Sequence, residues 1–163
     1  MTLNEVNAMD REAFVAAFGG IFEESPWVAL RAWDSRPFVS REALHRAMTQ
    51  QVDLAAREEQ LALLRAHPDL GARARMSDAS TREQQGAGLD QLTPKEYAEL
   101  TALNQAYRDK FGFPFLFAVK GSGKQAIMEA LRRRVDADAE AELVEALTQV
   151  YRIAWFRLEE DSQ

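Results

Sequence analysis

The chain contains no cysteine among its 163 residues. This absence excludes disulfides, thiolate nucleophiles and zinc sites built on cysteine, and it is compatible with a reducing compartment. Long apolar runs are also missing, because the strongest one, residues 113–119, contains Pro114 and is far too short to cross a bilayer. The N-terminal residues are polar and acidic, unlike a secretory signal. We therefore expect a cytoplasmic protein that does not associate with membranes.

An excess of basic charge is absent as well. The chain has 26 acidic and 20 basic residues, which gives a formal net charge of -6. A phosphate backbone attracts proteins rich in lysine and arginine, so this balance disfavours a nucleic-acid partner. The one dense basic cluster, residues 132–134, is interpreted as a solvated helix face near a helix C-terminus.

Motifs for metal and phosphate binding are incomplete. The two histidines, His45 and His67, are not spaced to share a helix face, and no acidic cluster has a recognisable ligand spacing, so we expect no metal. The sequence Gly-Ser-Gly-Lys at 121–124 looks like part of a phosphate-binding loop. That loop would need glycine where Ala118 stands and a hydroxyl residue where Gln125 stands.

What the chain does contain is a succession of helix signals. Residues 93–96 (TPKE) form a capping box with proline at the first helical position, and apolar residues then recur at three- and four-residue steps as far as Phe111. This helix is expected to stop at Gly112. The apolar residues 114–119 have no partner strand, so we interpret them as an extended connector or a helical turn. The prediction is one all-α domain over residues 1–163, with about six to nine helices and flexible termini at 1–9 and 160–163.

His67 is the first candidate for chemistry. Pro68 disfavours helical geometry at the residue before it, so a helix should end near His67, and a polar stretch, residues 71–79, follows it. An imidazole exchanges protons near neutral pH and can act as acid or base. Position alone nevertheless favours a capping or core histidine, and mid-helix His45 is interpreted as structural.

Two further groups have both a structural and a functional interpretation. Ser80 and Glu83 fit a capping box that would place Glu83 and Gln84 on the first turn of a helix beside a cleft. Arg157 falls on the apolar stripe of the last helix, where a guanidinium needs an anionic or carbonyl partner. A snorkelling arginine near the helix end is the alternative.

Three segments in this order resemble one known family. They are residues 67–71 (HPDLG), 80–89 (STREQQGAGL) and 104–115 (NQAYRDKFGFPF), followed by the arginine-rich helix end and the tail 152–158 (RIAWFRL). Together they are similar to the 2-oxo-4-hydroxy-4-carboxy-5-ureidoimidazoline (OHCU) decarboxylases of the urate-to-allantoin route. The resemblance covers almost the whole chain, from about Phe14 to Leu158.

The resemblance implies an all-α homodimeric carboxy-lyase that forms (S)-allantoin and carbon dioxide without a cofactor. By this resemblance, His67 and Glu83 are the catalytic residues. The implied substrate-binding residues are Pro68, Ser80, Gln84, Phe117, Ala118, Val119 and Arg157. Contacts at residues 117–119 would come from the backbone. Two alternatives stay open: a non-catalytic helical binding module, and a decarboxylase that acts on a related ureide.

Overall fold

Helices provide all the regular secondary structure of the computed structural model, which describes residues 1–71 and 77–161. Nine α-helices and one short 3-10 helix lie within those residues, and no strand does. The all-α fold class predicted from the sequence is confirmed. No helix in these two ranges combines the length and apolar character needed to cross a membrane.

Residues Met1–Ala66, together with the chain from Ala154 onward, form one compact unit. Its complete helices are α1 (Leu3–Ala8), α2 (Arg11–Phe18), α3 (Trp27–Ala32), the 3-10 helix (Trp33–Ser35), α4 (Arg41–Leu54) and α5 (Arg57–Arg65). Helix α3 packs against α2 and α4. Phe14, Val28 and Met48 are fully buried in this unit, where they remove apolar surface from water.

The N-terminal segment that we expected to be flexible contains helix α1. Thr2 caps it, because its hydroxyl accepts from the backbone N–H of Glu5 at 3.1 Å. The Asn7 side chain donates to the carbonyl of Phe38 at 2.9 Å and accepts from the Phe38 N–H at 2.8 Å. These bonds attach the first helix to a residue far along the chain. Residues 162–163 of the expected flexible C-terminus lie outside the described residues.

Residues His67–Ile153 form the second compact unit. It holds α6 (Asp78–Gly86), α7 (Pro94–Phe111), α8 (Lys124–Arg134) and α9 (Ala139–Asp161) as far as Ile153. Helix α7 packs against α8. The largest fully buried side chains of this unit are Leu100, Tyr107, Phe115, Ile127, Met128 and Leu131.

The ends of α7 follow the sequence signals. The Thr93 hydroxyl accepts from the N–H of Glu96 at 3.1 Å, and the Glu96 carboxylate accepts from the N–H of Thr93 at 2.9 Å, which completes the capping box. The helix ends where Gly112 adopts a left-handed conformation with φ 80°. Glycine fits this conformation because it has no Cβ to clash. Both predicted ends of this helix are confirmed.

The start of α6 corrects the sequence interpretation. Ser77, rather than Ser80, is the N-cap, and its hydroxyl accepts from the N–H of Ser80 at 3.1 Å. Glu83 and Gln84 therefore lie in the second turn of the helix and not in the first. The capping-box pattern at Ser80 misled because an equally good capping hydroxyl lies three residues upstream. The predicted polar stretch 71–79 includes residues outside the described ones.

Candidate active site

His67 lies directly after the end of α5. The helix stops at Arg65 with Ala66 as its C-cap, so the expected end before Pro68 is confirmed. The His67 side chain is buried at 6% exposure, while Pro68 is half-buried. We call residues 67–71 the His67 loop. The loop ends at Gly71 with φ 73°.

The peptide group between Leu70 and Gly71 is held at both ends by buried amide side chains. Asn104 of α7 donates from Nδ2 to the Leu70 carbonyl at 3.0 Å, and the Gly71 N–H donates to Oε1 of Gln84 on α6 at 2.8 Å. Both amide side chains are 5% exposed. Buried backbone groups need such partners, so two helices fix the His67 loop in place.

The polar residues of α6 share one helix face. Ser80 and Gln84 are one helical turn apart and buried, and Glu83 lies beside Gln84 and is half-buried. Through the bond from Gln84 to Gly71, the structure brings this face to the His67 loop. A histidine, a carboxylate, an amide and a hydroxyl are therefore carried by two adjoining segments. Such groups can move protons and bind a small polar molecule.

Residues 114–119 form neither a helix nor a strand, as expected for a connector. Two buried side chains satisfy part of their backbone. Arg134 of α8 donates from Nη1 to the Leu116 carbonyl at 2.6 Å, and the Ala118 N–H donates to Oε1 of Gln149 on α9 at 2.9 Å. The Ala118 amide, one of the predicted substrate contacts, thus donates within the protein in this structure.

Arg134 corrects the interpretation of residues 132–134 as a solvated face. Its side chain is buried, and its Nε donates to Oε1 of Glu142 at 2.6 Å. The same Glu142 oxygen accepts from the Tyr107 hydroxyl at 2.5 Å. Burial, reinforced by the neighbouring carboxylate, raises the pKa of Tyr107 well above its usual value. Only Arg132 and Arg133 of the cluster are exposed.

Arg157 lies in the first compact unit, apart in the chain from the residues above. Its guanidinium is 5% exposed and donates from Nη2 to Oε2 of Glu23 at 2.9 Å. Nη1 also donates to the carbonyls of Gly20 and Ile21, at 3.3 and 3.4 Å. Of the two interpretations left open by the sequence, the buried arginine with an anionic partner is the one observed.

A family model for OHCU decarboxylase matches residues 7–159. The chain belongs to the OHCU decarboxylase family. It is 51% identical to a 2-oxo-4-hydroxy-4-carboxy-5-ureidoimidazoline decarboxylase of Haloferax volcanii, over 98% of this chain and 95% of that protein. It is 49% identical to the uric acid degradation bifunctional protein PucL of Bacillus subtilis, over 96% of this chain and 32% of that protein.

One solved structure is similar to nearly the whole chain. The chain is similar to a crystal structure of (S)-allantoin synthase with a TM-score of 0.79 and 32% identity, over 99% of this chain and 54% of that one. It therefore spans about half the length of that solved chain. The resemblance inferred from the sequence is confirmed, and with it the prediction that the protein is an enzyme, a carboxy-lyase.

The second histidine, His45, packs against an aromatic side chain. His45 lies on α4, and its ring meets the Trp155 ring edge-on with centroids 5.4 Å apart. This arrangement is a usual one for aromatic pairs. Within residues 1–71 and 77–161, no group of three or more histidine, aspartate or glutamate side chains is placed to hold a metal ion.

Sequence reasoning did not identify the residues that hold the site segments. Glu23, Glu142 and Gln149 gave no local signal because acidic and amide residues are usually solvated. Gln149 lies next to Val150, which belongs to the apolar stripe of the last helix. A single polar residue in such a position does not predict which group it contacts. Gln149 accepts from a distant backbone amide, and the two glutamates accept from distant arginine side chains. Helical periodicity does not carry the information about which distant group a residue contacts.

Proposed function

We propose that this protein decarboxylates 2-oxo-4-hydroxy-4-carboxy-5-ureidoimidazoline to (S)-allantoin without a cofactor, with His67 as the acid/base. Membership of the OHCU decarboxylase family supports the reaction. The observation that carries the site assignment is the bond from the Gly71 N–H to Gln84 at 2.8 Å. It joins the His67 loop to the α6 face that carries Ser80 and Glu83.

The reaction chemistry explains why side chains alone suffice. Breaking the bond from the ring carbon to the carboxylate releases carbon dioxide and leaves an electron pair on the ring. The conjugated C=N and carbonyl groups of the substrate can accept that pair, so the substrate is its own electron sink. A proton must then be added to one face of the ring to set the S configuration. The protein needs to position the carboxylate, stabilise the developing charge and deliver that proton.

His67 and Glu83 perform the proton chemistry in this proposal. His67 acts beside the reacting carbon and its hydroxyl group, while Glu83 orients His67 and accepts from ring or ureido N–H groups. Burial of the imidazole favours a fixed orientation, which proton transfer to one face requires. Half-buried Glu83 lies one helical turn from Ser80 and next to Gln84, so these side chains can act on one ligand.

Substrate binding is assigned to the remaining polar groups. Ser80 and Gln84 bind polar atoms of the ureido group and the ring, Pro68 contacts the ring, and backbone groups of residues 117–119 receive a ring oxygen. Arg157 pairs with a substrate carbonyl or carboxylate. Its contacts with Glu23 and with two backbone carbonyls would fix the direction of the guanidinium before a ligand arrives.

The substrate is unstable, so the decisive assay generates it in place. Urate oxidase and hydroxyisourate hydrolase convert urate to the ureidoimidazoline, this protein is added, and circular dichroism follows allantoin. Rapid formation of the S enantiomer is expected. Spontaneous, racemic decay at an unchanged rate would overturn the proposal. Acceleration without enantiomer selectivity would contradict the proposed proton delivery.

We further propose that the protein is a cytoplasmic homodimer. The family resemblance supports the dimer, and the lack of cysteine supports a reducing compartment. Light scattering during size-exclusion chromatography is expected to give twice the chain mass of 18.4 kDa. A mass of one chain at micromolar concentration would contradict the dimer. Fractionation of the native host would test the compartment.

A further inference from the structure

The connector formed by residues 114–119 has its backbone bonded to two side chains on one edge. The Leu116 carbonyl accepts from Arg134 at 2.6 Å, and the Ala118 N–H donates to Gln149 at 2.9 Å. These two residues are two positions apart. In an extended chain, backbone groups of residues i and i+2 point to the same edge, and those of the residue between point to the opposite edge.

The aromatic residues of the connector follow the same two-residue period. The rings of Phe115 and Phe117 are stacked with centroids 6.2 Å apart and an interplanar angle of 25°. Phe113 precedes a proline, which also favours extended backbone geometry. Leu116 and Ala118 therefore present their backbone to α8 and α9. By the same two-residue period, the N–H groups of Phe117 and Val119 are expected on the opposite edge.

The two side chains that bind the connector, Arg134 and Gln149, are fixed by further hydrogen bonds. Arg134 donates to Glu142, which also accepts from the Tyr107 hydroxyl, and the Arg134 guanidinium lies 4.5 Å from the centroid of the Phe115 ring. Gln149 is 5% exposed and donates from Nε2 to Oε1 of Glu145 at 2.8 Å. A side chain fixed at both ends defines the position of the backbone that it contacts.

From these contacts we infer that Gln149 and Arg134 are positioning residues for substrate binding. They fasten one edge of the connector to α8 and α9, so that the opposite edge, with the amides of Phe117 and Val119, faces the substrate. The Ala118 amide is then structural. This inference rests on the proposed function, because it assumes that backbone amides of the connector contact the ureidoimidazoline.

The test uses Gln149, because loss of Arg134 would leave the buried Glu142 carboxylate without its cationic partner and would destabilise the fold. The variant Gln149→Met keeps the side-chain volume and removes the acceptor for the Ala118 N–H. We expect kcat/KM to fall about 10- to 100-fold, because small misplacements of binding groups have effects of that size. We also expect the enantiomeric excess of the product to decrease.

Two controls separate positioning from stability. Val150→Ala opens a cavity at a fully buried residue in the same turn of α9, so it should lower Tm and leave kcat/KM within about twofold. The double variant E145Q/Q149E exchanges donor and acceptor along the helix and keeps an acceptor for the Ala118 N–H. It should recover most of the activity that Gln149→Met loses.

A folded Gln149→Met protein with kcat/KM within twofold of the parent would overturn the inference. Failure of E145Q/Q149E to recover activity would do the same. If the parent itself does not decarboxylate the substrate, the proposed function fails. The hydrogen bond from the Ala118 N–H to Gln149 is then tested by amide hydrogen exchange, where this N–H should exchange faster in Gln149→Met. Unchanged exchange of the Ala118 amide would show that Gln149 does not fix the connector.

Discussion

The backbone N–H of Gly71 donates to Oε1 of Gln84 at 2.8 Å. This bond joins the last residue of the His67 loop to the C-terminal half of α6, 13 residues further along the chain. Because Ser80 and Glu83 lie on the same helix as Gln84, their positions relative to the loop depend on it. The geometry of the site therefore rests on a contact between backbone and side chain.

Removal of the Gln84 acceptor tests this contact. The variant Gln84→Met leaves the Gly71 N–H buried without that partner, which should cost about 1–3 kcal/mol of unfolding free energy. Gln85→Met provides the matched control, because Gln85 is the exposed neighbour on the same helix. Urea unfolding measures both variants. Equal midpoints for the two would contradict the structural role of Gln84.

An alanine substitution should destabilise the protein more at Gly71 than at Gly121, a glycine of similar backbone geometry. A Cβ at Gly71, where φ is 73°, would lie 2.5 Å from Cδ2 of Leu100, whereas at Gly121, with φ 81°, it would meet nothing within 4 Å. Both variants carry the left-handed penalty of about 1–2 kcal/mol. Leu100 is buried and cannot move away freely, so Gly71→Ala should cost about 1–3 kcal/mol more. Equal thermal stability of the two variants would refute this steric account.

His67→Asn tests the proposed acid/base. Loss of general acid–base catalysis should lower kcat by about 10²–10⁴-fold in a protein that still folds. His45→Asn is the matched control, because the second histidine contacts Trp155 and has no part in the proposed mechanism. Far-ultraviolet circular dichroism would verify folding beside the coupled assay. Near-parental turnover by His67→Asn would show that His67 is not the acid/base.

Acid stability should depend on Glu96. Hydrogen bonds from Lys124 and from the Thr93 backbone lower the pKa of Glu96 from 4.5 to about 2. Because the folded pKa is the lower one, the carboxylate stabilises the fold above pH 4.5, and this contribution disappears as the pH falls towards 2. Between pH 6 and pH 3, Glu96→Gln should therefore lose less stability than the parent. Identical pH slopes in urea unfolding would contradict the shift.

Tyr107 should stay protonated above the ordinary tyrosine pKa for as long as the protein remains folded. Burial, together with the hydrogen bond to Glu142, raises its pKa above the ordinary value of 10.0. Its stabilising contribution is thus complete below pH 10 and decreases as the pH rises further. In an absorbance titration of the folded proteins, Tyr107→Phe is therefore expected to show the same amount of tyrosine ionisation as the parent. Less ionisation in Tyr107→Phe than in the parent, before either unfolds, would show that the pKa of Tyr107 is not raised in this way.

Local patterns predicted the helices well where the sequence offered one clear signal. The Thr93 capping box and Gly112 set both ends of α7, and Pro68 set the end of α5 before His67. The signal failed at α6, where Ser77 and Ser80 are both suitable caps and the structure uses the first. It also failed at Arg134, whose basic neighbours suggested solvent exposure.

The sequence by itself determined the all-α class, the family and the identity of His67, Ser80, Glu83 and Gln84 as candidates. The fold class follows from helical periodicity and capping signals, and the family follows from the resemblance that the ordered motifs carry. Only the tertiary structure decided that Gln84 holds the His67 loop and that the Ala118 amide donates to Gln149. Each of those bonds forms because an unsatisfied backbone group and a distant side chain are brought together when apolar helix faces pack.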